Sequence, residues 1–187
     1  MARADRLMTL VAVLAAASCG DDFGGDGGGD SDVDTDADSD TDTTPAGCDE
    51  GPEANGATFL AWLASQGYQE TWDHEPAFDN RRPNIRDSPH GGPIEIFVND
   101  CVSGTWEMGA EQYPAGAIVV LDGYSDSKQP ARFVEYRIND EPGEAGWWWA
   151  GWDDTDVPIG EAGQDVGCHG CHSSGDDFVR AFTLDGV

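Results

Sequence analysis

Two cysteines with two residues between them, and a histidine directly behind the second, form the pentapeptide Cys168-His169-Gly170-Cys171-His172 near the C-terminus. C-x-x-C-H is the attachment signature of c-type haem. Each thiol forms a thioether to a haem vinyl group, and the histidine is carried under the iron as an axial ligand. The same two cysteines also suit a redox pair, or half of a zinc site completed by two histidines. No second C-x-x-C, no H-x-x-x-H partner and no thioredoxin-like βαβ pattern accompanies them. One haem c per chain is therefore the expectation, held by Cys168, Cys171 and His172, with His172 as the metal ligand. The rest of the chain then divides into an export signal, a tether and a scaffold that covers the haem.

Residues 1–18 have the layout of a signal peptide. Arg3 and Arg6 precede an apolar stretch from Leu7 to Ala17, too short for a comfortable membrane span. Ala16-Ala17-Ser18-Cys19 resembles the lipobox of bacterial lipoproteins, with Ala16 where leucine is usual. That resemblance implies cleavage before Cys19 and lipidation of its thiol. A plain secretory signal cut nearby is the alternative, and it leaves an exposed free thiol in an oxidising compartment. Both place the mature protein outside the cytoplasm. With the lipid it is anchored to a membrane, at the periplasmic or outer-membrane surface.

Residues 19–47 are the tether. After a glycine-rich start, an acid stands at every second position from Asp30 to Asp42. Such a sequence builds no core, and its like charges extend it to at most about 90–100 Å. Neither the glycine nor the glutamate of an EF-hand loop is in place, so the run reads as a solvated spacer.

Residues 48–187 form one domain, long enough to bury a core. It holds 26 Asp and Glu against 7 Lys and Arg, within a chain of net charge −28. This acidity argues against nucleic acid as a partner and disfavours anionic membrane surfaces. A basic redox partner protein could dock on it. With Cys19 assigned to lipid and Cys168 and Cys171 to haem, Cys48 and Cys101 are left to form a disulfide.

The local pattern predicts one helix and four strands. Asn55 or Thr58 caps a helix that runs to about Ser65 and closes at Gly67, with Phe59, Leu60, Trp62 and Leu63 on one side. Residues 72–92, rich in Pro and Gly, read as an irregular covering loop. Strands follow at Ile94–Val98, Ala117–Leu121, Arg132–Ile138 and Trp147–Trp152. Their short, turn-like connections argue for an antiparallel sheet. The haem motif falls on a short C-terminal helix or loop.

Residues 55–182 resemble the cytochrome P-460 family, which includes the cytochromes c′-β. The resemblance is carried by several segments in addition to Cys168–His172. They are His90-Gly91-Gly92 with the strand to Val98 and Asn99, and Tyr113-Pro114-Ala115-Gly116 with the strand to Leu121 and Asp122. Glu135-Tyr136-Arg137, Trp147–Trp152 and Asp176-Asp177-Phe178-Val179 complete the set. The resemblance implies an α+β fold, a curved antiparallel β-sheet with flanking helices covering a c-type haem. It also implies His172 as proximal ligand, an open and mostly apolar distal side, and a homodimer. Members that oxidise hydroxylamine carry a lysine cross-linked to the haem, at the place occupied here by Leu121. The one lysine in the chain, Lys128, lies in a loop-like segment. Without a lysine in the strand, the chain is more similar to the c′-β branch, which binds small diatomic gases.

For the sixth iron site, the residues offer His74 and His90 in the covering segment and Met108, the one methionine of the domain. His169 is badly placed to reach the far side of the same haem. The expectation is no protein ligand there, with Trp147–Trp152 and one face of Ile118–Leu121 as an apolar wall. Such a wall favours NO or CO over activated oxygen chemistry. Glu95, Asp100, Asp122, Glu135 and Arg137 are the groups available for proton transfer. The leading function is a haem protein that binds NO or a related small nitrogen species. The alternatives are an electron-transfer cytochrome with a sixth protein ligand, a hydroxylamine-oxidising enzyme, and a lipoprotein binding module without haem.

Overall fold

The fold is built around a sheet that is buried on both faces. The structure is a computed structural model, and it describes residues 44–45, 48, 51–84, 88–125, 129–164, 167–184 and 186. The signal segment, Cys19, the Asp30–Asp42 run and Lys128 lie outside the described residues. Thr41–Val187 make up one unit of mutual contacts.

The elements in order are helix α1 (Gly56–Gln66), a single turn α2 (Tyr68–Thr71), and strands β1 (Asp73–His74) and β2 (Ile94–Val98). Helix α3 (Asp100–Met108) follows, then strands β3 (Ile118–Gly123), β4 (Ala131–Arg137) and β5 (Trp147–Trp152), and the short helix α4 (Cys168–His172). The sheet order is β1-β2-β3-β4-β5, with every neighbouring pair antiparallel. This is an α+β arrangement with an open antiparallel sheet. Among the described residues no helix is long and apolar enough to cross a membrane.

Register assigns every side chain to a face, because successive residues of a strand point to opposite sides. Ile96 pairs with Leu121, Leu121 with Phe133, and Phe133 with Gly151. Val119 pairs with Glu135, and Glu135 with Trp149. These residues share one face, which packs with Cys101, Val102, Tyr113, Val179 and Phe182. The other face carries Phe97, Ile118, Val120, Val134, Tyr136, Trp148 and Trp152, and packs against Phe59 and Leu63 of α1. Burial on both sides explains the unbroken apolar run at the start of β3, which a half-exposed strand would interrupt with polar residues.

Helix α1 starts where Asn55 accepts a hydrogen bond from the Thr58 amide, and it ends at Gly67 in the left-handed region, at φ 60°. Phe59 meets Trp148 and Tyr136 at ring-centroid distances of 5.1 and 5.4 Å.

Helix α3 is not evident in the sequence, because Gly104 and three Ser, Thr and Cys residues give it weak helix propensity. Tertiary contacts create it. The Asn99 side chain accepts from the amides of Val102 and Ile118 and donates to the Gly116 carbonyl at 2.8 Å. One side chain thus joins the end of β2, the start of α3 and the start of β3. The covering segment also differs from expectation. Residues 73–74 form an edge strand beside β2 and Arg82 makes an isolated bridge to Ile94, while the other described residues up to Pro93 are irregular.

A disulfide joins Cys48 to Cys101, with 4.6 Å between their Cα atoms. It closes a loop with a sequence separation of 53 and fastens the chain ahead of α1 to the buried start of α3. Replacing both cysteines with alanine is expected to lower the stability of the full chain by roughly 2–4 kcal/mol. Urea denaturation measures this, and an unchanged midpoint would show that the bridge does not constrain the unfolded chain.

Candidate functional site

Helix α4 is a single turn, and both of its thiols are free and exposed. His172 at its end is buried, at 9 % exposure. The turn behind it, Asp176–Val179, fixes the ring. Asp177 and Phe178 are consecutive non-glycine residues in the left-handed region, at φ 43° and 68°. Each such residue costs of order 1–3 kcal/mol, so the turn needs external support. Asp177 supplies it by accepting from the Tyr113 amide at 2.7 Å and from Arg137 at 3.2 Å. Arg137 is completely buried and also donates to the Glu141 carbonyl. Burial pushes the Asp177 carboxyl up, while the Tyr113 amide and Arg137 pull it back. The turn is closed by the Val179 amide, which donates to the Asp176 carbonyl at 3.0 Å.

The result is a defined imidazole. His172 Nδ1 lies 3.1 Å from the Phe178 carbonyl and 2.9 Å from Glu135 Oε1. Burial opposes the imidazolium, but the Glu135 charge and the two hydrogen-bond acceptors outweigh it, and the His172 pKa stands above its ordinary value. Nε2 has no hydrogen-bond partner among the described residues. A histidine whose Nδ1–H is held by a carboxylate and a carbonyl has the usual outer support of a metal-ligating imidazole.

Beside α4 lies a cavity of about 470 Å³, of the size that takes a cofactor. Its floor is the sheet face carrying Ile96, Val119, Leu121, Phe133 and Trp149. Cys168, Cys171 and His172 stand on one side, and His90 and Pro89 of the covering segment on another. Among the described residues, Glu135 Oε2 and Trp149 Nε1 on the wall are buried and have no hydrogen-bond partner. The wall is thus less apolar than the sequence suggests, because the register that brings Trp149 inward brings Glu135 inward with it.

Among the described residues, no three His, Cys, Asp or Glu side chains are grouped to hold a metal ion. A haem asks less of the protein, since the porphyrin supplies four ligands and one imidazole is enough. Two thiols on one helical turn, a supported histidine and a largely apolar cavity with orphaned polar atoms fit that group.

His90 reaches the cavity through close backbone approach. Gly91 takes φ 84°, which favours glycine. A Cβ on Gly92 would meet the Tyr124 carbonyl oxygen at 2.6 Å, and one on Gly123 would collide with the His90 carbonyl oxygen. The His90 ring packs on Phe133 at 4.5 Å and lies 6.1 Å from the His172 ring, centre to centre. Burial lowers its pKa, the nearby His172 adds to that, and Glu135 opposes it.

The other candidates lie elsewhere. His74 is on β1, 3.2 Å from Glu95 and packed on Phe97, which belongs to the opposite sheet face. Met108 ends α3 with 45 % of its surface exposed and does not line the cavity. His169 pairs with Glu144. Asp122 is buried against the Tyr68 hydroxyl and Gln69, and Asp100 is exposed in the first turn of α3. Of the four tryptophans in β5, Trp149 faces the cavity, while Trp148 and Trp152 serve the α1 side.

Three contributors went unseen in the sequence: Phe133, the Asp177 brace and Arg180. Arg81 lies over Tyr124, and Arg82, Arg132 and Arg137 each pair with a carboxylate. Arg180 lines the cavity and has neither kind of partner among the described residues. Its lack of such a partner follows from tertiary placement, so the sequence offered no signal for it.

Asp177→Ala removes the brace and leaves Arg137 buried without its carboxylate. We expect a loss of about 3–5 kcal/mol in urea unfolding of the full chain; a loss under about 1 kcal/mol, the range of an exposed pair, would mean that the pair does not hold the turn. Set against known proteins, the chain matches no protein-family model, and no curated protein aligns with it significantly.

Proposed function

We propose that this protein is an exported, membrane-anchored mono-haem c-type cytochrome that binds NO or a related small nitrogen species. The observation that carries the proposal is the state of His172. Its Nδ1 is held by Phe178 and Glu135, its Nε2 is unengaged among the described residues, and it shares a single helical turn with two exposed thiols beside a largely apolar cavity.

When bound, the haem supplies an iron that coordinates a diatomic ligand and changes oxidation state. Cys168 and Cys171 would hold it covalently, and His172 would ligate through Nε2. The Phe178 carbonyl and Glu135 keep the proton on Nδ1, which fixes the tautomer and raises the basicity of the ligand. Arg180, on the cavity wall, would be the group to pair with a haem carboxylate. The sheet face from Ile96 to Trp149 excludes water, and the Trp149 N–H is available to an acceptor on that wall.

The c′-β-like branch of the cytochrome P-460 family is the proposed home of the chain. Leu121 lines the cavity where hydroxylamine-oxidising members carry their lysine, and it has no amine to bond a porphyrin. This supports ligand binding over hydroxylamine oxidation. The placement of Met108 gives no support to a carrier with a His/Met iron. Lipidation at Cys19, a basic redox partner and a homodimer remain proposals made from sequence.

The test is an anaerobic NO titration of the reduced full chain, exported from a host with cytochrome c maturation. One NO per chain with a change in the haem spectrum is expected. A covalent haem indifferent to NO would contradict the ligand-binding reading. Cys168→Ala with Cys171→Ala is expected to abolish covalent haem staining while leaving the chain exported.

A further inference from the structure

We propose that His90 is the resting second axial ligand of the iron, closing the face opposite His172, and that a small ligand enters by displacing it. This rests on the haem reading and departs from the sequence expectation of an open sixth position.

Spacing carries the argument. Two imidazoles bound on opposite sides of one metal ion, each through a nitrogen at about 2.0–2.1 Å, have ring centres roughly 6 Å apart. The His90 and His172 rings are 6.1 Å apart, with planes inclined at 55°. Inclined planes are compatible with this, because each ring can rotate about its own bond to the metal. Nothing else competes for His90, whose imidazole has no hydrogen-bond partner among the described residues. A lone surface histidine does not usually have its main chain packed this closely. Gly91, Gly92 and Gly123 together let the His90 backbone lie against the end of β3, and Phe133 supports the ring from one side. His74, His169 and Met108, the other ligand candidates, are all positioned away from this point.

Displacement needs little movement of the fold. The His90 side chain can turn about its own torsions while the glycine-fixed backbone stays in place. Ligand binding then becomes a competition, and apparent affinity falls by the fraction of molecules in which the site is open. If His90 occupies the iron in about nine molecules of ten, removing it raises apparent affinity about tenfold.

The experiment uses the full chain with its haem, at neutral pH. Near-infrared magnetic circular dichroism and electron paramagnetic resonance of the oxidised wild type report the ligand pair directly, without any variant. A low-spin bis-imidazole signature is expected. His90→Ala should be high-spin, should become low-spin again on adding imidazole, and should bind carbon monoxide in the reduced state about tenfold more tightly. A high-spin wild type, or a His90→Ala variant that stays low-spin without imidazole, would overturn the proposal and leave the haem reading intact. A chain that carries no haem would overturn both.

Discussion

The buried pair between Arg137 and Asp177 joins the end of β4 to the turn behind His172. Arg137 comes from β4, is fully buried, and lies 5.5 Å from the Trp147 ring as well as 3.2 Å from Asp177. A guanidinium taken so far from water is tolerated only when paired and hydrogen-bonded. Its carboxylate partner in turn keeps two consecutive residues in a conformation that L side chains avoid. The Phe178 carbonyl is aimed at His172 because of that conformation. The orientation of the imidazole therefore depends on a charge pair whose members are 40 residues apart in sequence.

The two sheet faces divide the work. The α1 face is an aromatic core in which Phe59, Tyr136, Trp148 and Trp152 bury apolar surface and supply stability. The opposite face is apolar at one end, around Val98, Tyr113 and Phe182, and opens at the other into the cavity beside α4. Antiparallel register makes this possible, since the residues next to Glu135 on β3 and β5 are Val119 and Trp149. One carboxylate is thereby set into an otherwise apolar wall, within reach of the histidine that needs it.

Features encoded locally were legible in the sequence. The C-x-x-C-H motif, the Asn55 and Gly67 caps and the strands at Ile94–Val98 and Trp147–Trp152 each follow from residues within a few positions of one another. Features made by tertiary contact were not. Helix α3 depends on Asn99 bonding to residues 17 and 19 positions ahead of it. The Asp177 brace and the cavity-facing side of Glu135 require register and loop closure that composition does not encode. His90 illustrates the boundary. Its three glycine partners are visible in the sequence, but two precede β2 and one ends β3, and only pairing of β2 with β3 brings them together.

The most direct measurement is a mass determination on the peptide containing residues 168–172. The full chain would be exported from a host with cytochrome c maturation, purified and digested. A covalent haem carried by Cys168 and Cys171, at one per chain, is the result this account predicts. A peptide with two free thiols, or with the two thiols joined to each other, would contradict it.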